Sequence, residues 1–135
     1  MNHVRGTSCA AAIASLAFGL PIAGAEPSPA AAAGDRRAER LFLQCRACHS
    51  LGTAQEGKIG PPLGGIVGRK AASVPGFAYS TALAGAGLTW DEATLDRWLA
   101  RPSEVVPGTS MVYAGLAKPE DRALLIAYLQ RAAAP

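Results

Sequence analysis

Cys45-Arg46-Ala47-Cys48-His49 is the stretch from which the rest of this 135-residue chain is read. A Cys-x-x-Cys-His run is the attachment pattern of c-type haem: two thiols bond the porphyrin edge and the adjacent imidazole ligates the iron. The spacing has a geometric reason. At a helix end Cys45 and Cys48 come to lie nearly on one side, and His49 can swing its ring beneath a porphyrin already tethered. Two other chemistries use the same residue types. A redox dithiol asks for a thioredoxin-like strand and helix around it, and a structural zinc asks for a fourth Cys or His ligand. The chain has three Cys and two His, but Cys9 and His3 belong to the N-terminal segment. Haem attachment is therefore the expectation, with dithiol or metal chemistry standing behind it.

That N-terminal segment reads as an export signal over residues 1–25. Arg5 and His3 give a weakly positive start, Cys9 to Ile22 are mostly apolar, and Ala23-Gly24-Ala25 is a small-residue cleavage site. Cleavage would leave a chain beginning at Glu26 in the periplasm; an uncleaved run would instead anchor the protein to the membrane. The run is short beside the usual span of about 20 apolar residues, and Pro21 interrupts its end. An oxidising compartment suits cysteines held as thioethers.

Residues 26–135 are enough for one small domain, with a core too small to be comfortable on protein contacts alone. A covalent haem would enlarge it. The net charge of +3 includes Arg5 of the signal, so what remains is mildly basic. No long basic run or aromatic-basic interleaving suggests nucleic acid, and no second apolar segment suggests a membrane domain.

Along the chain, residues 26–34 are an Ala/Pro-rich linker with little reason to fold. The haem domain is expected over 35–135. Asp35 is a plausible N-cap, and Ala38, Leu41, Phe42 and Cys45 form a helical apolar stripe leading into the motif. From Leu51 to Val74 glycine and proline are dense and no period is visible, as in a loop that wraps something functional. Ser80 to Ala84 suggests a short helix ending at Gly85 or Gly87. Thr89 with Glu92 reads as a capping box for a helix through Leu95, Trp98 and Leu99 that stops before Pro102. Pro119 opens a last helix with Leu124, Leu125, Tyr128 and Leu129 as its stripe. No stretch reads as a strand.

Met111 follows as the second iron ligand by elimination. It is the only methionine besides Met1, and it sits in a loop after Pro107-Gly108-Thr109-Ser110, away from any helical face. Methionine is more often core filler, but with a haem implied, His49/Met111 ligation is the electron-transfer arrangement and raises the reduction potential.

From Asp35 to Arg131 the sequence resembles the class I c-type cytochromes, of the mitochondrial and bacterial soluble kind. The resemblance rests on Cys45 to His49, Gly60-Pro61-Pro62-Leu63, Gly68-Arg69-Lys70, Pro75 to Tyr79, Trp90, Pro107 to Met111, and Leu125 to Leu129, in matching order and spacing. It implies an all-α cytochrome c fold, about four to five short helices around one covalent haem c. It also implies roles for single residues. The Pro61 carbonyl would accept the His49 ring N–H and fix its tautomer. Arg69, Tyr79, Trp90 and Thr109 match positions that hydrogen-bond the haem propionates; without haem, Arg69 would be a solvated cation and the two aromatics ordinary core.

Several positions depart from the family. Ala38 stands where Gly is usual, at the crossing of the first and last helices against Tyr128. Trp98, in the haem pocket, stands where Tyr is common, and an indole donates from one fixed N–H. Leu83 replaces an Asn that often joins buried water, so the pocket should be drier. Gln44, Ser103, Glu104 and Ser110 occupy positions often lysine around the exposed haem edge, leaving Lys58, Arg46 and Lys118. Docking should then rely less on charge and more on an apolar patch around Met111, Val112 and Tyr113.

These observations imply an exported monohaem cytochrome that carries single electrons between redox proteins, as a monomer or as a subunit of a redox complex. It is not expected to be an enzyme, since a His/Met shell leaves the iron no open position. Two alternatives are an electron-relay subunit of a periplasmic dehydrogenase or oxidase, and an open-coordination haem peroxidase or gas sensor should Met111 not ligate.

Overall fold

The computed structural model describes Met1, residues 28–54 and residues 56–133. The expected export signal beyond Met1, and the first residues of the expected linker, lie outside the described residues. The described residues form five helices: α1 (Pro29–Arg46), α2 (Thr81–Ala84), α3 (Glu92–Ala100), α4 (Pro102–Val105) and α5 (Pro119–Ala132). Among the described residues there is no strand, only an isolated antiparallel bridge between Lys70 and Thr89. No described helix is long and apolar enough to cross a membrane.

α1 begins earlier than the sequence pattern suggests. Ser28 is its N-cap, accepting the Ala31 N–H at 3.3 Å, with Pro29 in the first turn. Residues 29–34, expected as linker, are helical, and Asp35 lies inside the helix. The reason is propensity: alanine is the strongest helix former, and proline is tolerated at a first turn because its missing N–H would be unpaired there anyway. Asp35 instead pairs with Arg131 near the end of α5.

α1 packs on α5. The buried face of α1 is Ala38 and Phe42. Ala38 is 1% exposed, so the methyl is accommodated within the packed face. The Phe42 and Tyr128 rings stand 5.7 Å apart at 45°, and Arg37 reaches Asp121 at 2.6 Å. Leu125, at 0% exposure, joins Ile126 and Leu129 as the buried side of α5.

α3 is capped by Asp91, whose Oδ1 accepts the Thr94 N–H at 2.7 Å. The expected Thr89–Glu92 box does not form, because Thr89 is held in the bridge to Lys70 and Asp91, directly before Glu92, offers a strong acceptor of its own. Leu95, Trp98 and Leu99 are buried, and Trp98 packs on Trp90 at 5.0 Å. α3 ends at Ala100, before Pro102, but Pro102 then opens the one-turn α4, which periodicity cannot reveal in so short a segment. The described residues between 51 and 79 run without helix and turn back on themselves through Gly and Pro.

Candidate haem site

The Cys-x-x-Cys-His motif is the exit of α1. Cys45 sits in the last turn, and its carbonyl accepts the N–H groups of Cys48 at 3.0 Å and His49 at 2.9 Å. This tight turn places both thiols and the imidazole on the wall of one cavity. Met111 and Thr109, from the loop after α4, line the same cavity, as do Leu95 and Trp98 of α3. Residues 66 apart in sequence, Cys45 and Met111, are thus brought together by the fold.

His49 Nδ1 lies 2.7 Å from the Pro61 carbonyl oxygen. A carbonyl only accepts, so Nδ1 carries the proton and Nε2 is the nitrogen with a free lone pair. Burial lowers the His49 pKa and the bond to Pro61 opposes that shift; the net direction favours the neutral imidazole, the form able to bind a metal. Gly60 makes this approach possible. A Cβ there would stand 2.5 Å from His49 Cε1, 2.7 Å from Nδ1 and 3.0 Å from the Cys48 carbonyl.

The two thiols are free and partly buried. Burial, and then the neighbouring Cys48, push the Cys45 thiol up to about 11. It is a poor thiolate in this folded form, and a thioether bond removes the proton altogether.

Arg69, Tyr79, Trp90 and Thr109 also line the cavity. Arg69 donates to the carbonyls of Gly64 at 2.6 Å and Pro62 at 2.9 Å, which leaves its other N–H groups for the cavity. Burial lowers its pKa against the influence of Tyr79. The Tyr79 hydroxyl accepts the Val74 N–H at 3.4 Å and keeps its own proton to donate. The Trp90 N–H of the backbone donates to Arg69 at 2.8 Å, tying the two residues together. Thr109 Oγ1 accepts the Met111 backbone N–H at 3.3 Å and so shapes the turn that presents the thioether. Leu83 is part of the lining, whose surface is mainly apolar.

Three features in or beside the site were not legible in the sequence pattern. The Tyr113 hydroxyl is buried and has no hydrogen-bond partner among the described residues; burial raises its pKa, with a smaller contribution from Cys45. Gly115, at φ 99°, passes so close to the Ala100 carbonyl that a Cβ could not be placed. Arg122 is buried on α5; its spacing to Leu125 and Leu129 was the available signal, since it puts an arginine on the apolar side of the helix.

An all-α chain whose thiol pair, imidazole and thioether share one apolar cavity defines a c-type haem protein class, and the comparisons give the family. No protein-family model matches the chain. Cytochrome c2 of Rhodomicrobium vannielii is 52% identical over 99 residues, covering 73% of this chain and 79% of that protein. Cytochrome c of Chlamydomonas reinhardtii is 48% identical over 106 residues, covering 77% and 95%. The solved structure of cytochrome cH from Methylobacterium extorquens superposes with a TM-score of 0.66 at 43% identity, covering 71% of this chain and 96% of that one. The chain belongs to the class I cytochrome c family.

Members of this family carry one covalently attached haem c and are electron-transfer proteins, not enzymes. The residues present fit that group. Two thiols, an imidazole and a thioether converge on one cavity; Gly60 leaves the imidazole room; and the Tyr113 hydroxyl is a buried polar group with no partner among the described residues.

Proposed function

We propose that the chain is an exported carrier of single electrons, with Cys45 and Cys48 as the covalent attachment points and His49 and Met111 as the axial iron ligands. The observation that carries this reading is the convergence of His49 and Met111 on one cavity, since Met1 is the only other methionine. Bound haem supplies a one-electron iron couple whose potential a thioether ligand raises.

The side chains around the cavity have assignable parts. His49 is oriented by Pro61 at 2.7 Å, which fixes the tautomer and strengthens the free nitrogen as a ligand. Arg69, Tyr79, Trp90 and Thr109 serve as donors to the two propionates, which need partners to stay charged where water is excluded. Trp98 fills the pocket against Trp90, and Leu83 keeps it dry. With His49 and Met111 both bound to it, the iron would have no open position for a substrate.

Residues 1–25 are the export signal in this reading, and the periplasm is the compartment. The partners are redox proteins, a donor and an acceptor. Ile59 and Val112, 82% and 102% exposed, flank the mouth of the cavity beside the neutral Gln44 and Ser110. That rim suits a partner with an apolar, weakly charged docking face. Lys70 is the one lysine among the described residues that line the cavity, and so sparse a basic rim favours a place as a relay within a redox complex over a freely diffusing carrier steered by charge.

The test is the visible and near-infrared spectrum of haem-loaded protein beside the Met111→Ala variant. The expected result is a weak near-infrared sulfur-to-iron band in the wild type that the variant lacks. A high-spin spectrum unchanged by the substitution would overturn the reading and leave the iron open to small ligands.

A further inference from the structure

Met111 is carried by residues 106–117, a segment with neither helix nor strand. A thioether is a weak, neutral ligand, so its position depends on how firmly the protein holds that segment. At the leading end the Thr109 N–H donates to Val106 at 3.1 Å and Thr109 Oγ1 accepts from Met111 at 3.3 Å. At the trailing end the Leu116 N–H donates to the Leu99 carbonyl at 2.8 Å, just where Gly115 crosses Ala100. The strongest tie comes from another helix. Arg122, in the first turns of α5, donates from one terminal nitrogen to the carbonyls of Leu116 and Ala117, both at 3.0 Å. Its remaining nitrogens fork onto the Asp96 carboxylate of α3 at 2.7 and 3.2 Å.

One guanidinium therefore joins three pieces: α5, which is packed on α1; α3, whose Trp98 lines the cavity; and the trailing end of the methionine segment. Its side chain is only 11% exposed, so water competes poorly for the two carbonyls. Charge-assisted bonds of this kind are the stronger sort, and a forked arginine fixes direction as well as distance.

We propose that Arg122, aimed by Asp96, is a positioning residue that holds the Met111 segment against the cavity and so sets how often the methionine leaves the iron. The proposal rests on Met111 being the axial ligand. It concerns a residue that does not line the cavity and that acts through carbonyls five and six positions beyond Met111.

The experiment uses haem-loaded ferric protein with imidazole as the probe. Imidazole takes the iron position only in the fraction of molecules whose methionine has left, so its apparent affinity reports that fraction. Arg122→Lys keeps a charge but loses the fork, and should tighten apparent imidazole binding by roughly tenfold, the scale of one or two lost charge-assisted bonds. Asp96→Asn leaves Arg122 on the carbonyls but releases its other side, and should shift binding the same way by a smaller factor. Helix content by circular dichroism should be unchanged in both, and amide exchange at Leu116 should quicken. Imidazole binding unaltered in both variants would overturn the proposal. So would a change matched by an equal loss of global stability in denaturant, which would make Arg122 a general fold residue. If Arg122→Lys does not fold, Asp96→Asn alone decides between the same outcomes. Failure of the underlying reading is separable, because the wild-type protein would then lack the sulfur-to-iron band altogether.

Discussion

His49 Nδ1 sits 2.7 Å from the carbonyl oxygen of Pro61, and Gly60, between that proline and Ile59, has no side chain to hold the ring away. The bond and the missing Cβ are one arrangement: the loop returns close enough to orient the imidazole only because position 60 is empty. Gly60→Ala would put a Cβ 2.5 Å from His49 Cε1. Either the ring or the loop must then move. The expected outcome is a loss of about 1–3 kcal/mol in stability of the haem-loaded protein, measured by denaturant unfolding, with a shifted reduction potential from the weakened Pro61 contact.

Gly115→Ala should be harsher. Its φ of 99° is costly for any residue with a Cβ, and the added carbon would collide with the Ala100 carbonyl, which is backbone and cannot rotate away. A loss of more than ~3 kcal/mol is expected. The near-infrared band should vanish at lower temperature than helix content does, because the collision falls on the segment that carries Met111.

Leu125→Ala tests the core that backs the cavity. Leu125 is fully buried and lines the cavity from α5. Truncation should cost about 2–5 kcal/mol, read as a lower denaturation midpoint, with the axial-ligand spectrum retained under native conditions.

The largely apolar rim, with Lys70 its one lysine among the described lining residues, predicts how electron exchange responds to salt. With Ile59 and Val112 exposed at the cavity mouth, second-order rates with the physiological partner should change by less than roughly twofold between low and physiological salt, where charge steering gives tenfold or more. Val112→Glu would bury an uncompensated charge in the contact and should slow exchange by about tenfold or more. Stopped-flow kinetics at several ionic strengths checks both. A steep salt dependence in the wild type would assign docking to Lys58, Arg46 and Lys118 instead.

What local chemistry could reveal, it revealed. The Cys45–His49 spacing, the Pro107–Gly108 turn before Met111 and the stripe of α3 are properties of neighbouring residues, so periodicity and motif were enough to find them. In α5, Leu125 and Leu129 are buried as expected, but Leu124 and Tyr128 are only half-buried and Ile126 and Arg122 lie on the buried side. Where local signals competed, the outcome went to the stronger one: the Ala30–Ala33 run made helix of an expected linker, and Asp91 capped α3 in place of Thr89. A one-turn helix such as α4 has no period to read.

By itself the sequence determined the attachment motif, from residue type and spacing along one segment, and the lone candidate for a second ligand, by elimination; the all-helical class followed from the family resemblance that those motifs carry. Only the tertiary structure decided that Gly60 and Gly115 are sites of backbone contact, and that Arg122 grips the end of the Met111 segment together with Asp96. Those are meetings between segments distant in the chain. They are set by how α1, α3 and α5 pack around the cavity, and no local propensity encodes that packing.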